Sequence, residues 1–262
     1  MPNDGDIRAY WDGKAKALST DPSATMKDVM LRQLEIEAIC ARLKRDDLLL
    51  DVGCGNAYGS IAFAQVCRAV IAVDYSHGMI ESARTLIAQS SRPNVEARIG
   101  SVMEVGHDFA EKFSAVTSVR CLINLDDFAQ QGEAIDSICD AIEPCGRLFL
   151  IEGVRERFDN MNKMRVDVGL EPIPLNWHNH LFVEDELVSY LNKRFRITET
   201  VDFGEYYFMS RIFHPLAVFP ESPKFESHLN VVAANIWRSK AASHRLKDIS
   251  TLVMYVCEKK GR

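Results

Sequence analysis

The chain has 262 residues, 47% of them hydrophobic and 26% charged. That balance belongs to a globular protein with a sizeable core and excludes disordered and fibrous classes. A formal net charge of −6 argues against a nucleic-acid partner, while leaving room for a local basic patch. The seven cysteines are odd in number and contain no Cys-x-x-Cys pair, and Cys40, Cys121, Cys139 and Cys257 fall in apolar runs. They read as buried thiols of a reducing compartment, with no disulfide framework and no metal site. The opening MPNDGDIRAYWDGKA lacks the charged-then-apolar pattern of a signal peptide, and no run approaches the ~18 apolar residues that span a bilayer. A cytoplasmic protein with no membrane partner is expected.

Residues 1–29 are polar apart from a cluster at Ile7 to Asp12 that contains Tyr10 and Trp11. A helix is predicted over 26–44, with Leu31, Leu34, Ala38 and Ala41 in one row and Ile36, Ile39, Cys40 and Leu43 in another. Leu48 to Ser60 then reads LLLDVGCGNAYGS. An apolar run ending in glycines, followed by helical spacing from Gly59, is a buried strand, a tight loop and a helix. That unit binds nucleotide-like ligands at the carboxyl end of a strand. Tyr58 stands where a dinucleotide fingerprint needs its third glycine, and no Gly-Lys-Ser/Thr follows, so both common phosphate-binding patterns fail.

A second strand is predicted over 69–73, ending in Asp74, with a helix carrying Met79, Ala83 and Leu86 after it. A carboxylate at that strand tip either accepts hydrogen bonds from a ribose or caps the helix. Strands at 95–99 and 113–119 follow, then a helix at 127–142 that Pro144-Cys145-Gly146 breaks. A strand is predicted at 147–151 and a helix at 155–168. Prolines at Pro172 and Pro174 force a loop, which leads into Asn176-Trp177-His178-Asn179-His180. The 183–195 helix has Glu184, Asp185 and Glu186 in its first turn and Lys193 and Arg194 in its last, which suits the helix dipole. A strand at 196–202, a polar-aromatic cluster at 205–211, a loop and helix to about 240, and an antiparallel strand at 251–256 complete the chain.

Asp51-Val52-Gly53-Cys54-Gly55-Asn56-Ala57 resembles motif I of the class I S-adenosylmethionine-dependent methyltransferases, an acidic residue followed by Gly-x-Gly-x-Gly. Ala57 replaces the third glycine. Glu143-Pro144-Cys145-Gly146-Arg147-Leu148-Phe149-Leu150 resembles the family's usual approach to strand 5, with Cys145 in place of a glycine. The likeness covers about residues 30–153. It implies an α/β, Rossmann-like seven-stranded sheet of order 3-2-1-4-5-7-6 with helices on both faces. It divides the chain into a lid segment at 1–29 and a methyltransferase domain at 30–262, with substrate-side insertions around 155–182 and 204–245. The implied cofactor is S-adenosylmethionine, with S-adenosylhomocysteine as product. Its contacts would be Asp51, Gly53, Cys54 and Gly55 from motif I, Asp74 on the ribose, and Tyr75 and Met79 on the adenine. Ser101 stands where the family usually has Asp, so the backbone amide of Val102 shares the adenine contact. Arg120 opens Arg-Cys-Leu-Ile-Asn-Leu at the motif IV position, which resembles the small-molecule branch and lacks the Asn/Asp-Pro-Pro-aromatic signature of enzymes acting on bases or protein amides. Tyr10 and Trp11 resemble the lid that folds over cofactor and acceptor, or are plain terminal packing.

Methyl transfer from a sulfonium needs alignment and exclusion of water, and a hydroxyl acceptor also needs a base. His178 and His180 are the candidates, either as bases or as local loop contacts. Trp177 lies beside them. Tyr206 and Tyr207 could wall an acceptor and Arg211 could hold an anionic one, or all three could serve in packing. The expected activity is O-methylation of a small molecule of a natural-product or sugar pathway. N-methylation of a small molecule and a non-catalytic S-adenosylmethionine-binding scaffold are the alternatives. Aminopropyl transfer would call for acidic clusters, and Asp126-Asp127 is the one such pair near motif IV. The expected partner is a small-molecule acceptor, with the protein a monomer or homodimer.

Overall fold

A computed structural model describes residues 4–110, 112–239 and 244–261. Residues 1–3 of the lid segment and 240–243 of the second insertion lie outside them. Seven strands form one sheet in the order β3-β2-β1-β4-β5-β7-β6. They are β1 (Leu48–Val52), β2 (Ala69–Asp74), β3 (Val95–Ile99), β4 (Phe113–Val119), β5 (Ile142–Gly153), β6 (Phe195–Asp202) and β7 (Leu252–Lys259). The first five run parallel, and β7 lies antiparallel between β5 and β6. This is the sheet order expected from the sequence.

The central strands are buried on both sides, which is why they read as continuous apolar runs. Leu49, Leu50, Val52, Val70, Val116, Leu148 and Leu150 all belong to one core. Helices cover the sheet: α2 (Val29–Cys40), α3 (Tyr58–Phe63), α4 (His77–Ser90), α5 (Val105–Asp108), α6 (Phe128–Ala141) and α8 (Glu184–Arg194). Strand β5 begins five residues before the predicted 147, directly where α6 ends. Its first residue pairs with Phe113 across a register shift, and Cys145 adopts φ 62°. Helix α2 is shorter than the predicted 26–44, because Asp28 caps its N-terminus by accepting from the Leu31 amide.

Three segments stand above the carboxyl ends of the parallel strands. Helix α1 (Asp4–Leu18) contributes the buried Ile7 and Ala15 and lies against α4. Helix α7 (Arg155–Asp167) leads into the proline loop. A continuous helical stretch runs through α9 (Gly204–Tyr207), a π-helical turn (Phe208–Phe213) and α10 (His214–Val218), before α11 (His228–Ser239). The sequence suggested only a cluster and a loop there. Its buried Tyr206 and Ile212 give it a hydrophobic side facing the core. No helix among the described residues is long and apolar enough to cross a membrane.

Candidate active site

At the end of β1 the chain turns through two left-handed glycines, Gly53 (φ 69°) and Gly55 (φ 57°). A Cβ at Gly53 would lie 2.5 Å from Cys121 Sγ, and one at Gly55 would lie 2.6 Å from Thr25 Cγ2. Glycine is therefore required twice over, by dihedral and by space. Ala57 takes the third glycine's place at φ 60°, fully buried at the start of α3. This alanine carries a conformation that costs an L-residue about 1–2 kcal/mol.

Asp51 is buried, and both its oxygens are taken: Ser60 Oγ donates to one at 2.5 Å and Thr117 Oγ1 to the other at 2.8 Å. Burial raises its pKa against those bonds. Its place is under the glycine loop, tying α3 to β4. Asp74 is buried at the tip of β2. Its Oδ2 accepts from the Gly55 amide and its Oδ1 from the Ser76 amide, each at 2.9 Å. One lone-pair site remains on each oxygen. Burial pushes its pKa up to about 6, partly offset by the Ser76 and Gly55 amides, while Asp51 and Asp12 add repulsion. The cap of α4 is not Asp74 but Ser76, whose Oγ accepts from the Met79 amide.

Asp51, Gly53, Gly55 and Asp74 line a cleft together with Glu35, Tyr75, Met79, Arg120 and Asn124. Met79 is both core and lining, being 1% exposed. A side cavity continues from Asp74 and Tyr75 to Gly100, Ser101, Val102 and Met103. Ser101 Oγ accepts from the Met103 amide at 3.2 Å and keeps its own proton to offer. Cys54 and Cys121 also line the cleft. Burial raises both thiols well above their ordinary range, so neither is a nucleophile.

Away from the side cavity, the cleft ends in the expected Arg120 and in two charged groups of α2, Arg32 and Glu35, that pattern reading overlooked. Glu35 is 1% exposed on α2 and faces Arg120, with 3.2 Å between Oε1 and Nε. Burial raises the Glu35 pKa against the pull of Arg120 and Arg32. Arg32 donates to Asn56 Oδ1 and lies 4.8 Å over the Tyr58 ring. Glu35 Oε1 and Arg120 Nε are paired with each other as ions, whereas Asn124 Oδ1 is buried without a hydrogen-bond partner. A buried ion pair beside an unsatisfied amide oxygen marks a place that suits a polar ligand. The signal was in the sequence: Arg32 and Glu35 interrupt an otherwise apolar helix face. Asn124 likewise interrupts Cys-Leu-Ile-Asn-Leu. Its Nδ2 donates to the carbonyls of Arg120 and Cys121 at 2.9 and 3.2 Å, which fixes the amide. The whole turn hangs on the buried Glu152, which accepts from the amides of Cys121, Leu122 and Ile123.

A second, larger chamber shares Trp11, Thr25, Arg120 and Asn124 with the cleft. Its walls include Phe158, Met161, Leu175, Leu181, Tyr207 and Leu252. Helix α1 closes one side. Asp12 accepts from Ser76 Oγ at 2.5 Å and from the Gly78 amide at 3.0 Å, and Arg8 lies 5.0 Å over the Tyr75 ring. The Tyr10 ring stacks obliquely on His178 at 4.6 Å, and Trp11 and Trp177 meet the same imidazole edge-on at 5.7 and 5.2 Å. His178 is buried, with Nδ1 unpartnered, and lines the chamber. Burial and the nearby Lys14 lower its pKa, which favours the neutral imidazole.

The remaining expected residues divide. His180 is exposed and lines neither cavity, because its backbone amide is anchored to the Ile123 carbonyl at 2.6 Å while its own carbonyl accepts from Gln131. Of the two histidines, His178 alone lines the chamber. Trp177, 55% exposed, braces Tyr10 and His178 from outside the chamber. Tyr206 is no wall: it is fully buried, and its hydroxyl donates to Asp28 Oδ1 at 2.7 Å. Tyr207 and Arg211 do line the chamber, but Arg211 is engaged with Asp28 Oδ2 at 2.6 Å and is not open for a bidentate contact.

Residues 49–146 match the model of a methyltransferase domain. Among curated proteins, a ubiquinone biosynthesis O-methyltransferase of Xanthomonas axonopodis pv. citri (strain 306) is 31% identical over 121 residues, 46% of this chain and 49% of that protein. A probable cobalt-precorrin-6B C(15)-methyltransferase (decarboxylating) of Methanocaldococcus jannaschii is 31% identical over 80 residues, 29% of this chain and 44% of that protein. The chain thus spans about half the length of the curated relatives it matches. Among solved structures, the [4+2]-cyclase SpnF aligns over 100% of this chain and 98% of its own at a TM-score of 0.68 and 16% identity. Geranyl diphosphate methyltransferase, in complex with GPP and sinefungin, aligns over 88% and 80% at 0.59 and 14%. These likenesses establish the shared fold.

Proposed function

We propose that this chain, by fold and by its residues 49–146 a class I S-adenosylmethionine-dependent methyltransferase, transfers a methyl group to a hydroxyl oxygen of a small molecule. S-adenosylmethionine supplies an activated methyl carried on a sulfonium. Asp74 accepts from the ribose hydroxyls through its two remaining lone-pair sites. Ser101, Val102 and Tyr75 take the adenine in the side cavity, beside Met79. Glu35 and Arg120, with Arg32 behind them, complement an ammonium and a carboxylate at the other end. Asp51, which accepts one bond on each oxygen from within, holds the glycine loop at the floor of the cofactor cleft. Cys54, Gly53 and Gly55 offer backbone at close range.

The observation that carries this reading is the meeting of cleft and chamber at Arg120 and Asn124, with His178 in the chamber wall. The His178 imidazole receives the proton that the acceptor hydroxyl releases. Tyr10 and Trp11, brought over by α1, exclude water, which supports the segment 1–29 as a lid over a domain at 30–262. A histidine with a lowered pKa suits a hydroxyl acceptor, and no open carboxylate stands among the chamber's described lining residues to draw a protonated amine.

Transfer of label from tritiated S-adenosylmethionine to hydroxylated small molecules tests the proposal. His178→Ala is expected to lower turnover at least tenfold and to leave S-adenosylhomocysteine affinity nearly unchanged. Wild-type turnover in that variant would remove His178 from the chemistry. Tight S-adenosylhomocysteine binding with no transfer to any acceptor would favour a scaffold.

A further inference from the structure

The acceptor chamber has an unbalanced set of charges. Four cationic side chains line it: Lys14, Lys27, Arg120 and Arg211. Asp28 is the one carboxylate among its described lining residues. That carboxylate is fully engaged, accepting at Oδ1 from the Leu31 amide (3.1 Å) and the Tyr206 hydroxyl (2.7 Å), and at Oδ2 from Arg211 (2.6 Å). Arg120 is matched by Glu35 from the cleft side. Lys14 and Lys27 are left, and neither makes an ion pair among the described residues.

Lys14 is the better placed. Lys27 is exposed, whereas Lys14 is half-buried on α1. The Lys14 ammonium lies 5.4 Å from the centroid of the Tyr10 ring, and that ring stacks on His178. Its charge is felt at the imidazole. Cation, aromatic ring and histidine thus stand in one row along a wall whose other side is hydrocarbon: Phe158, Met161, Leu175 and Leu181. A partly desolvated ammonium beside an apolar chamber favours a ligand carrying one negative charge. The absence of an open carboxylate among the lining residues disfavours a cationic one.

We infer that the acceptor is an amphipathic acid, a lipophilic or aromatic body bearing a carboxylate held by Lys14 and a hydroxyl presented to His178. This rests on the methyl-transfer reading for its hydroxyl, and not for its charge.

Three matched probes test it: 6-hydroxy-2-naphthoic acid, its carboxamide, and 6-hydroxy-2-(aminomethyl)naphthalene. Binding is followed by naphthalene fluorescence on the full chain, with and without saturating S-adenosylhomocysteine. The acid is expected to bind about tenfold or more tightly than the amide, the scale of one charge-assisted contact in a partly desolvated site, and the amine more weakly still. Raising the salt concentration should shrink the gap. Lys14→Met should abolish the acid's advantage while leaving the amide's affinity and the melting temperature in place, and Lys14→Arg should retain most of it. Equal or stronger binding of amide or amine, an unchanged acid preference in Lys14→Met, or binding of none of the three would overturn the inference. Acid binding that persists in a protein unable to bind S-adenosylhomocysteine would defeat the transferase reading and leave the anion site standing.

Discussion

Asp74 offers the sharpest test of the cofactor site. In the structure each of its oxygens already accepts one backbone N–H, from Gly55 and from Ser76, both at 2.9 Å. A ribose diol would add one donor to each. Asp74→Asn turns one oxygen into an NH₂ group, which faces a backbone donor on one side and a ribose hydroxyl on the other. At least one charge-assisted bond to the ligand is lost, and the survivor is weakened. At ~1.5–3 kcal/mol for a bond to a charged group, and 1.4 kcal/mol per factor of ten, S-adenosylhomocysteine should bind about 10- to 150-fold more weakly. The pH dependence supplies an independent check. Burial raises the Asp74 pKa to about 6 in the free protein, and the ligand's hydroxyls stabilise the ionised form. Affinity should therefore be constant above pH 7 and fall through pH 6, reaching about a tenfold loss by pH 5. Calorimetric titrations of wild type and Asp74→Asn between pH 5 and 8 read both effects. A wild-type affinity flat across that range, or an Asp74→Asn variant that binds as tightly as wild type, would refute the assignment.

Three further outcomes follow from the same geometry. Gly53→Ala should cost about 2 kcal/mol or more in urea unfolding, since its Cβ would meet Cys121 Cβ at 2.6 Å as well as Sγ, on a turn that Glu152 holds in place; a loss under about 0.5 kcal/mol would show that the turn yields. Ala57→Gly should change stability by less than about 1 kcal/mol, because relief of the left-handed strain is offset by a lost buried methyl and a freer unfolded chain. Ala57→Val at the same position should lose about 2 kcal/mol, and equal midpoints for all three would contradict the φ of 60°. Because burial and Lys14 hold the His178 pKa below its usual value, the acidic limb of kcat/KM should fall below pH 6.5. Lys14→Met should move that limb upward, and a shift in the other direction would count against His178 as the base.

Several features were legible in the sequence because they are local. Leu48 to Val52, with glycines at 53 and 55, could only be a buried strand entering a tight turn, since the apolar run needs two covered faces and the turn needs left-handed dihedrals. Asp74 followed from its position at the next strand's tip. The strands and the 184–194 helix, with its acidic first turn and basic last turn, came from periodicity and charge, and the sheet order came from the family resemblance. The strain at Ala57 was also visible, because an alanine in a glycine slot must adopt the glycine's φ.

What only the tertiary structure decided depends on contacts between residues far apart in the chain. Tyr206 and Arg211 looked like substrate residues, yet Asp28, more than 170 positions away, engages both. His178 and His180 are equivalent by type and spacing, but the Ile123 carbonyl anchors the His180 amide and the aromatic rings of Tyr10, Trp11 and Trp177 surround His178 alone. Glu35 and Arg120 are 85 residues apart and form the charged end of the cleft. Periodicity reports which face of an element is buried and not what it is buried against. Charge pairing across that distance, which sets the polarity of both cavities, is decided when the chain folds.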